Sequence, residues 1–84
     1  MSQSVPIRYC IDDDIVMTEV LELKNKLTVL KNVISLSKAV NFNDYNFYYE
    51  NRLLTPQDDM KYLKEIIQID KSPMFKLYKR GSIL

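Results

Sequence analysis

Three groups of residues in this sequence are of types that could do chemistry. Asp12, Asp13 and Asp14 are consecutive acids, Asp58 and Asp59 form a second acidic pair, and Cys10 is the single thiol of an 84-residue chain that contains no histidine. Three aspartates in a row could chelate a divalent cation, but a calcium loop also needs a following glycine and a distal glutamate, and neither is present. Neighbouring positions on a helix point about a quarter-turn apart. Asp58 and Asp59 would therefore diverge, and the positive start of a helix accounts for them as first-turn acids. Cys10 lacks the histidine that would turn it into a thiolate nucleophile. Gly81 is the only glycine, so no glycine-rich loop can cradle phosphate. No catalytic residue, metal or cofactor is expected, and the functional reading passes from catalysis to binding.

Composition narrows the choice further. A chain of this length forms one domain burying roughly 60% of its unfolded surface, which argues against a deep enclosed site. An apolar fraction of 46% with a single glycine separates it from disordered polypeptides. The net charge of +1 gives no electrostatic reason to expect nucleic acid, which calls for a strongly basic face. A lone cysteine makes no internal disulfide and fits a reducing compartment, and within a strand pattern it suits a small buried position. No apolar run approaches the roughly 18 residues of a membrane span, and MSQSVPIR lacks the segments of a signal peptide. Cytoplasm or nucleus is the expected setting.

The elements that would position these residues follow from periodicity. Val5, Ile7, Tyr9 and Ile11 alternate with Pro6, Arg8, Cys10 and Asp12, the period of a half-buried strand. The three aspartates mark a solvated hairpin tip. Residues 15–23 read as the return strand, with apolar residues on both faces that call for a bulge or for cover on both sides. After Lys24-Asn25-Lys26, a helix with Thr28 as N-cap carries Val29, Leu30, Val33, Ile34 and Val40 at helical spacing, ending at Asn41-Phe42-Asn43-Asp44. Tyr45, Phe47 and Tyr49 line one face of a third strand, and Arg52-Leu53-Leu54 is a short fourth strand. Thr55-Pro56-Gln57-Asp58 has the form of a helix start, with threonine capping and proline in the first turn. Met60, Leu63, Ile66 and Ile67 would be that helix's apolar stripe, and Lys71-Ser72-Pro73 its stop. Residues 74–79 close the sheet, with Phe75 and Leu77 facing inward.

From Val5 to Arg80, the strand–strand–helix–strand–strand–(helix)–strand order resembles the ubiquitin-like superfamily. That resemblance implies an α+β, β-grasp roll: a mixed sheet in ββαββ(α)β order with one main helix packed across it. The first and last strands would run parallel at the centre, and the two chain ends would meet there. It assigns residues 5–80 to the domain, with 1–4 a disordered start and 81–84 a flexible tail. Two details resemble the Phox/Bem heterodimerisation family. Arg8 stands on the first strand before an acidic turn, where that family carries a basic residue, and Leu54-Thr55-Pro56-Gln57-Asp58-Asp59-Met60-Lys61-Tyr62-Leu63 resembles its segment in which a threonine or serine precedes two acids and an apolar helix. The run of acids that would grip a partner's lysine is missing, since Tyr49 is followed by Glu50, Asn51 and Arg52.

That resemblance implies a non-catalytic adaptor or scaffold offering Arg8, with Lys24 and Lys26, to an acidic protein through salt-sensitive contacts. The outward residues Tyr48, Lys76 and Tyr78 would complete a basic and aromatic sheet face suited to a protein interface. With no matching acidic loop, the domain is expected to be monomeric, with no nucleic-acid or membrane partner. Two alternatives stay open. Ras-association domains share the fold and add an edge strand to a small GTPase; Glu19 and Glu22 on the second strand oppose that reading, while Lys31 and Lys38 leave room for it. Ubiquitin-like modifiers are joined through a C-terminal glycine, a role that would fall to Gly81 after loss of the last three residues.

Overall fold

A computed structural model of the chain describes residues 4–67 and 74–80. Five strands form one sheet: β1 (Ser4–Ile11), β2 (Met17–Glu22), β3 (Tyr45–Tyr49), β4 (Arg52–Leu54) and β5 (Met74–Lys79). Their order is β2-β1-β5-β3-β4. The β1–β5 pair is parallel, with Tyr9 beside Phe75 and Ile11 beside Leu77, and the other pairings are antiparallel. Helix α1 (Leu27–Lys38) crosses one face. This is the expected mixed sheet with one main helix, the ubiquitin-like β-grasp.

The parallel pairing corrects one expectation. Because Arg8 lies beside Met74 and both strands run the same way, the start of β1 and the end of β5 lie at opposite ends of the pair rather than meeting. Ser4, expected to lie in the N-terminal segment, is in β1.

The core is the layer between α1 and the sheet. Ile7 and Tyr9 of β1, Phe75 and Leu77 of β5, and Phe47 and Tyr49 of β3 meet Leu27, Leu30 and Ile34 of the helix, all buried. Phe75 is stacked against Phe47 with centroids 5.2 Å apart and lies 4.9 Å from Tyr49, so aromatic contacts join β3 to β5 in the middle of the core. Tyr9 is buried to its ring yet satisfies its hydroxyl, which donates to Glu19 Oε2 at 3.2 Å. Burial, then the Glu19 carboxylate, pushes its pKa up to about 12.

Strand β2 has neither a bulge nor two covered faces. Its register against β1 runs unbroken from Ser4–Glu22 to Tyr9–Met17. Met17, Glu19 and Leu21 turn toward the helix side, and Val20 is left 64% exposed on the other. Ile15 and Val16 precede the strand and are exposed.

Both helix predictions need correction, for one reason. Helix α1 starts after Lys26, not Thr28, and no side chain caps it. Its first amides, which have no partner inside a helix, find carbonyls elsewhere: Leu27 N donates to Lys61 O at 2.9 Å and Thr28 N to Asp59 O at 3.0 Å. The helix ends at Lys38, where Ala39 takes a left-handed conformation with φ 55°, so Val40 is buried beyond the helix rather than within it.

The same contacts break the expected second helix. The chain forms a 3₁₀ turn (Pro56–Asp58) and then, separately, a single turn α2 (Leu63–Ile66). Leu63 N and Lys64 N donate back to Asn25 O and Leu23 O, and Lys26 bridges Tyr62. The backbone of residues 59–64 is thus spent on the entrance of α1 instead of on its own helical ladder. Met60 is left 62% exposed, while Leu63, Ile66 and Ile67 are buried as expected. The predicted stop at Lys71-Ser72-Pro73 lies outside the described residues.

Candidate protein-interaction face

The side of the sheet away from α1 has its own residue set, fixed by strand alternation. Across β1, β5, β3 and β4 the central row is Cys10, Lys76, Tyr48 and Leu53. The row below is Thr18, Arg8 and Met74. The row above holds Tyr78 and Asn46. Arg8, Lys76, Tyr48 and Tyr78 therefore share one face, as expected. Tyr48 and Tyr78 meet edge to face with centroids 5.8 Å apart, which holds both rings beside Lys76. Cys10 is buried within this row, a small residue filling the space beneath longer neighbours.

Lys24 and Lys26 are in a different neighbourhood. They belong to the loop between β2 and α1, where Lys24 pairs with Glu22 at 3.5 Å and the Lys26 ammonium lies 5.8 Å from the Tyr62 ring. The structure does not join them to the patch around Lys76.

Sequence reasoning missed two members of the face. Leu53, half exposed, extends the central row onto β4. Arg80 donates from Nε to Asn46 Oδ1 at 2.9 Å and to Tyr45 O at 3.2 Å, placing a further cation at the upper edge. Only strand register could have shown either one.

The acidic tip is more than a solvated turn. Asp12 and Asp13 adopt positive φ of 51° and 60°, and the tip leans on β5: Asp12 N donates to Leu77 O at 2.8 Å, and Asp12 Oδ1 accepts from Lys79 N at 3.0 Å. Asp13 Oδ1 accepts from the Tyr78 hydroxyl at 2.6 Å. This bond, before all else, pushes the Tyr78 pKa up to about 12. Asp14 caps the amide of Ile15. The three carboxylates go to three separate donors and do not converge, and among the described residues no group of acids and cysteine could hold a metal ion.

Asp58 and Asp59 also part company. Asp58, 6% exposed, takes Arg52 Nη2 at 2.9 Å and Lys61 Nζ at 3.0 Å on one oxygen, and Thr55 N at 2.9 Å on the other. The Thr55 amide, then Lys61 and Arg52, overcome burial and hold its pKa down at about 2. Asp59 instead pairs with Lys31 at 3.0 Å. Lys31 is thereby committed within the fold, which removes one of the two helix lysines offered for a Ras-association contact. Glu19 is turned inward onto Tyr9 and Ser37, so it does not confront a strand arriving at β2. Gly81 lies outside the described residues; Arg80 before it donates its amide to Asp44 O at 2.8 Å.

Known structures share this fold across essentially the whole chain. The ubiquitin-like domain of yeast Ddi1 superposes with a TM-score of 0.81 at 13% identity, covering 100% of this chain and 98% of that one. The ubiquitin-like domain of tubulin-binding cofactor B gives 0.70 at 14% identity, with 95% and 93% covered. Ubiquitin from Caldiarchaeum subterraneum gives 0.66 at 14% identity, with 94% and 96% covered. No family model and no curated protein sequence matches the chain. At these identities the likeness is one of fold: the chain has the ubiquitin-like β-grasp fold. No described helix is long and apolar enough to cross a membrane.

Proposed function

We propose that this chain is a non-catalytic protein-interaction module, an adaptor or scaffold domain that docks an acidic partner on the sheet face opposite α1. The observation that carries the reading is the juxtaposition of Lys76 with the Tyr48–Tyr78 pair, with Arg8 one row away. Tyrosine offers large contact area at small entropic cost, and cations beside it supply orientation and partner choice. A Phox/Bem-like contact would use Arg8 as its basic residue. The neighbourhood of Lys24 and Lys26 would act as a separate basic contact.

The test is capture of a partner on the immobilised domain, wild type beside Arg8→Glu and Tyr48→Ala, with elution in a salt gradient. The adaptor reading expects a partner released by modest salt and lost in both variants. Retention by both variants removes this face from the interface.

A second reading is edge-strand addition at β2, as in Ras-association domains. It is favoured by the inward turn of Glu19, which leaves the exposed edge with Thr18 and Val20. Amide resonances of β2 moving on partner binding, with those around Lys76 still, would select it.

A further inference from the structure

We propose that Thr55 is a phosphorylation site, accepting the γ-phosphoryl group of a nucleoside triphosphate from a kinase that selects a hydroxyl residue followed by proline. Thr55 is exposed and immediately precedes Pro56. Its backbone is extended, with φ −115° and ψ 170°, the conformation that a following proline favours. It follows β4, the edge strand of the sheet, so the chain here is approachable from the open side.

The hydroxyl takes part in a capping box with Asp58, but two bonds of the turn use the Thr55 backbone instead. Asp58 Oδ2 accepts from Thr55 N at 2.9 Å, and Asp58 N donates to Thr55 O at 2.8 Å. Both bonds use the Thr55 backbone and not the hydroxyl that would be modified. The bond from Thr55 Oγ1 to Asp58 Oδ2 is long, at 3.3 Å.

What the phosphoryl group would meet is equally specific. Arg52 and Lys61, each about half exposed, converge on the other Asp58 oxygen at 2.9 and 3.0 Å. A phosphate on Oγ1 would stand beside a buried carboxylate and within reach of two cations already gathered there. In the transfer, Thr55 Oγ1 bonds to the γ-phosphorus as the bond to the β–γ bridging oxygen breaks. The nucleoside diphosphate leaves, and the hydroxyl proton passes to the kinase's base. The product carries roughly −1.5 to −2 charge. It repels Asp58 and draws Arg52 and Lys61 toward itself, converting the Arg52–Asp58–Lys61 cluster into a phosphate clamp.

The test incubates the full chain with a purified proline-directed kinase and magnesium ATP, and maps phosphate by fragmentation mass spectrometry. Ser72-Pro73 is a second hydroxyl–proline pair in the sequence, so mapping is essential. Phosphate is expected on Thr55 of the folded chain. Thr55→Val should lose it there, and Pro56→Ala should lose it while keeping the hydroxyl and an unchanged circular dichroism spectrum. The side-chain resonances of Arg52 and Lys61 should shift on modification. Phosphate on Ser72 alone, on a peptide of residues 50–60 but not on the folded chain, or undiminished on Thr55 in Pro56→Ala, would each overturn the assignment.

Discussion

The Tyr78 hydroxyl donates to Asp13 Oδ1 at 2.6 Å, joining positions 65 apart in sequence. It fastens the acidic tip of the first hairpin to the closing strand, and it orients the ring that meets Tyr48 on the candidate docking face. Tip and face are therefore one mechanical unit: a change at Asp13 is transmitted to a residue that a partner would touch.

This relation has a pH signature. The Tyr78 pKa is raised from 10.0 to about 12, so the folded state favours the neutral phenol. The contribution to stability is complete below pH 10 and is lost as pH rises through about 12. Asp13→Asn should bring one late-titrating phenol back toward its ordinary range, read from tyrosinate absorbance. Tyr78→Phe should lie below wild type in stability at neutral pH, with the gap closing between pH 10 and 12.

Asp58 gives the opposite window. Its pKa falls from 3.8 to about 2 in the fold, so its contribution is present above about pH 4 and disappears as pH falls toward 2. Asp58→Asn should cost about 1–3 kcal/mol at neutral pH, the usual penalty for stripping buried hydrogen-bonded groups of a charged partner. The difference from wild type in urea unfolding should shrink across pH 4 to 2.

Leu30 is fully buried against the sheet, whereas Leu36 on the same helix is 87% exposed. Leu30→Ala should lower stability by about 2–5 kcal/mol, and Leu36→Ala by no more than about 0.5 kcal/mol. Equal effects in chemical denaturation would contradict the placement of α1.

Ala39 occupies the left-handed position that ends α1, a conformation that costs a residue with a Cβ about 1–2 kcal/mol. Glycine removes that cost at a smaller entropic one. Ala39→Gly should stabilise the domain by about 0.5–1 kcal/mol, measured as a higher urea midpoint with unchanged slope.

In sedimentation at micromolar concentration the domain should be a monomer. Among the described residues the run of acids from Asp12 to Asp14 lies against β5, where Asp12 accepts from the Lys79 amide and Asp13 from the Tyr78 hydroxyl. A dimer at that concentration would show that the tip still has charge to offer a second copy.

By itself the sequence determined the strands, the element order and the inward residues. Ile7, Tyr9, Phe47, Tyr49, Phe75 and Leu77 all obey a period of two that is written locally, and alternation also placed Arg8, Tyr48, Lys76 and Tyr78 on the opposite side. Tertiary structure decided the rest, because the deciding partners are distant. Thr28 looks like a cap, but Asp59 and Lys61 supply the acceptors for the start of α1. The stripe from Met60 to Ile67 looks like one helix, but Leu23, Asn25 and Lys26 claim its backbone. Lys24 and Lys26 count as basic residues in any composition, yet only the folded chain separates them from Lys76. Hydrogen bonds between segments outweigh local propensity wherever a short element cannot satisfy its own termini, and that is where this domain departs from its sequence pattern.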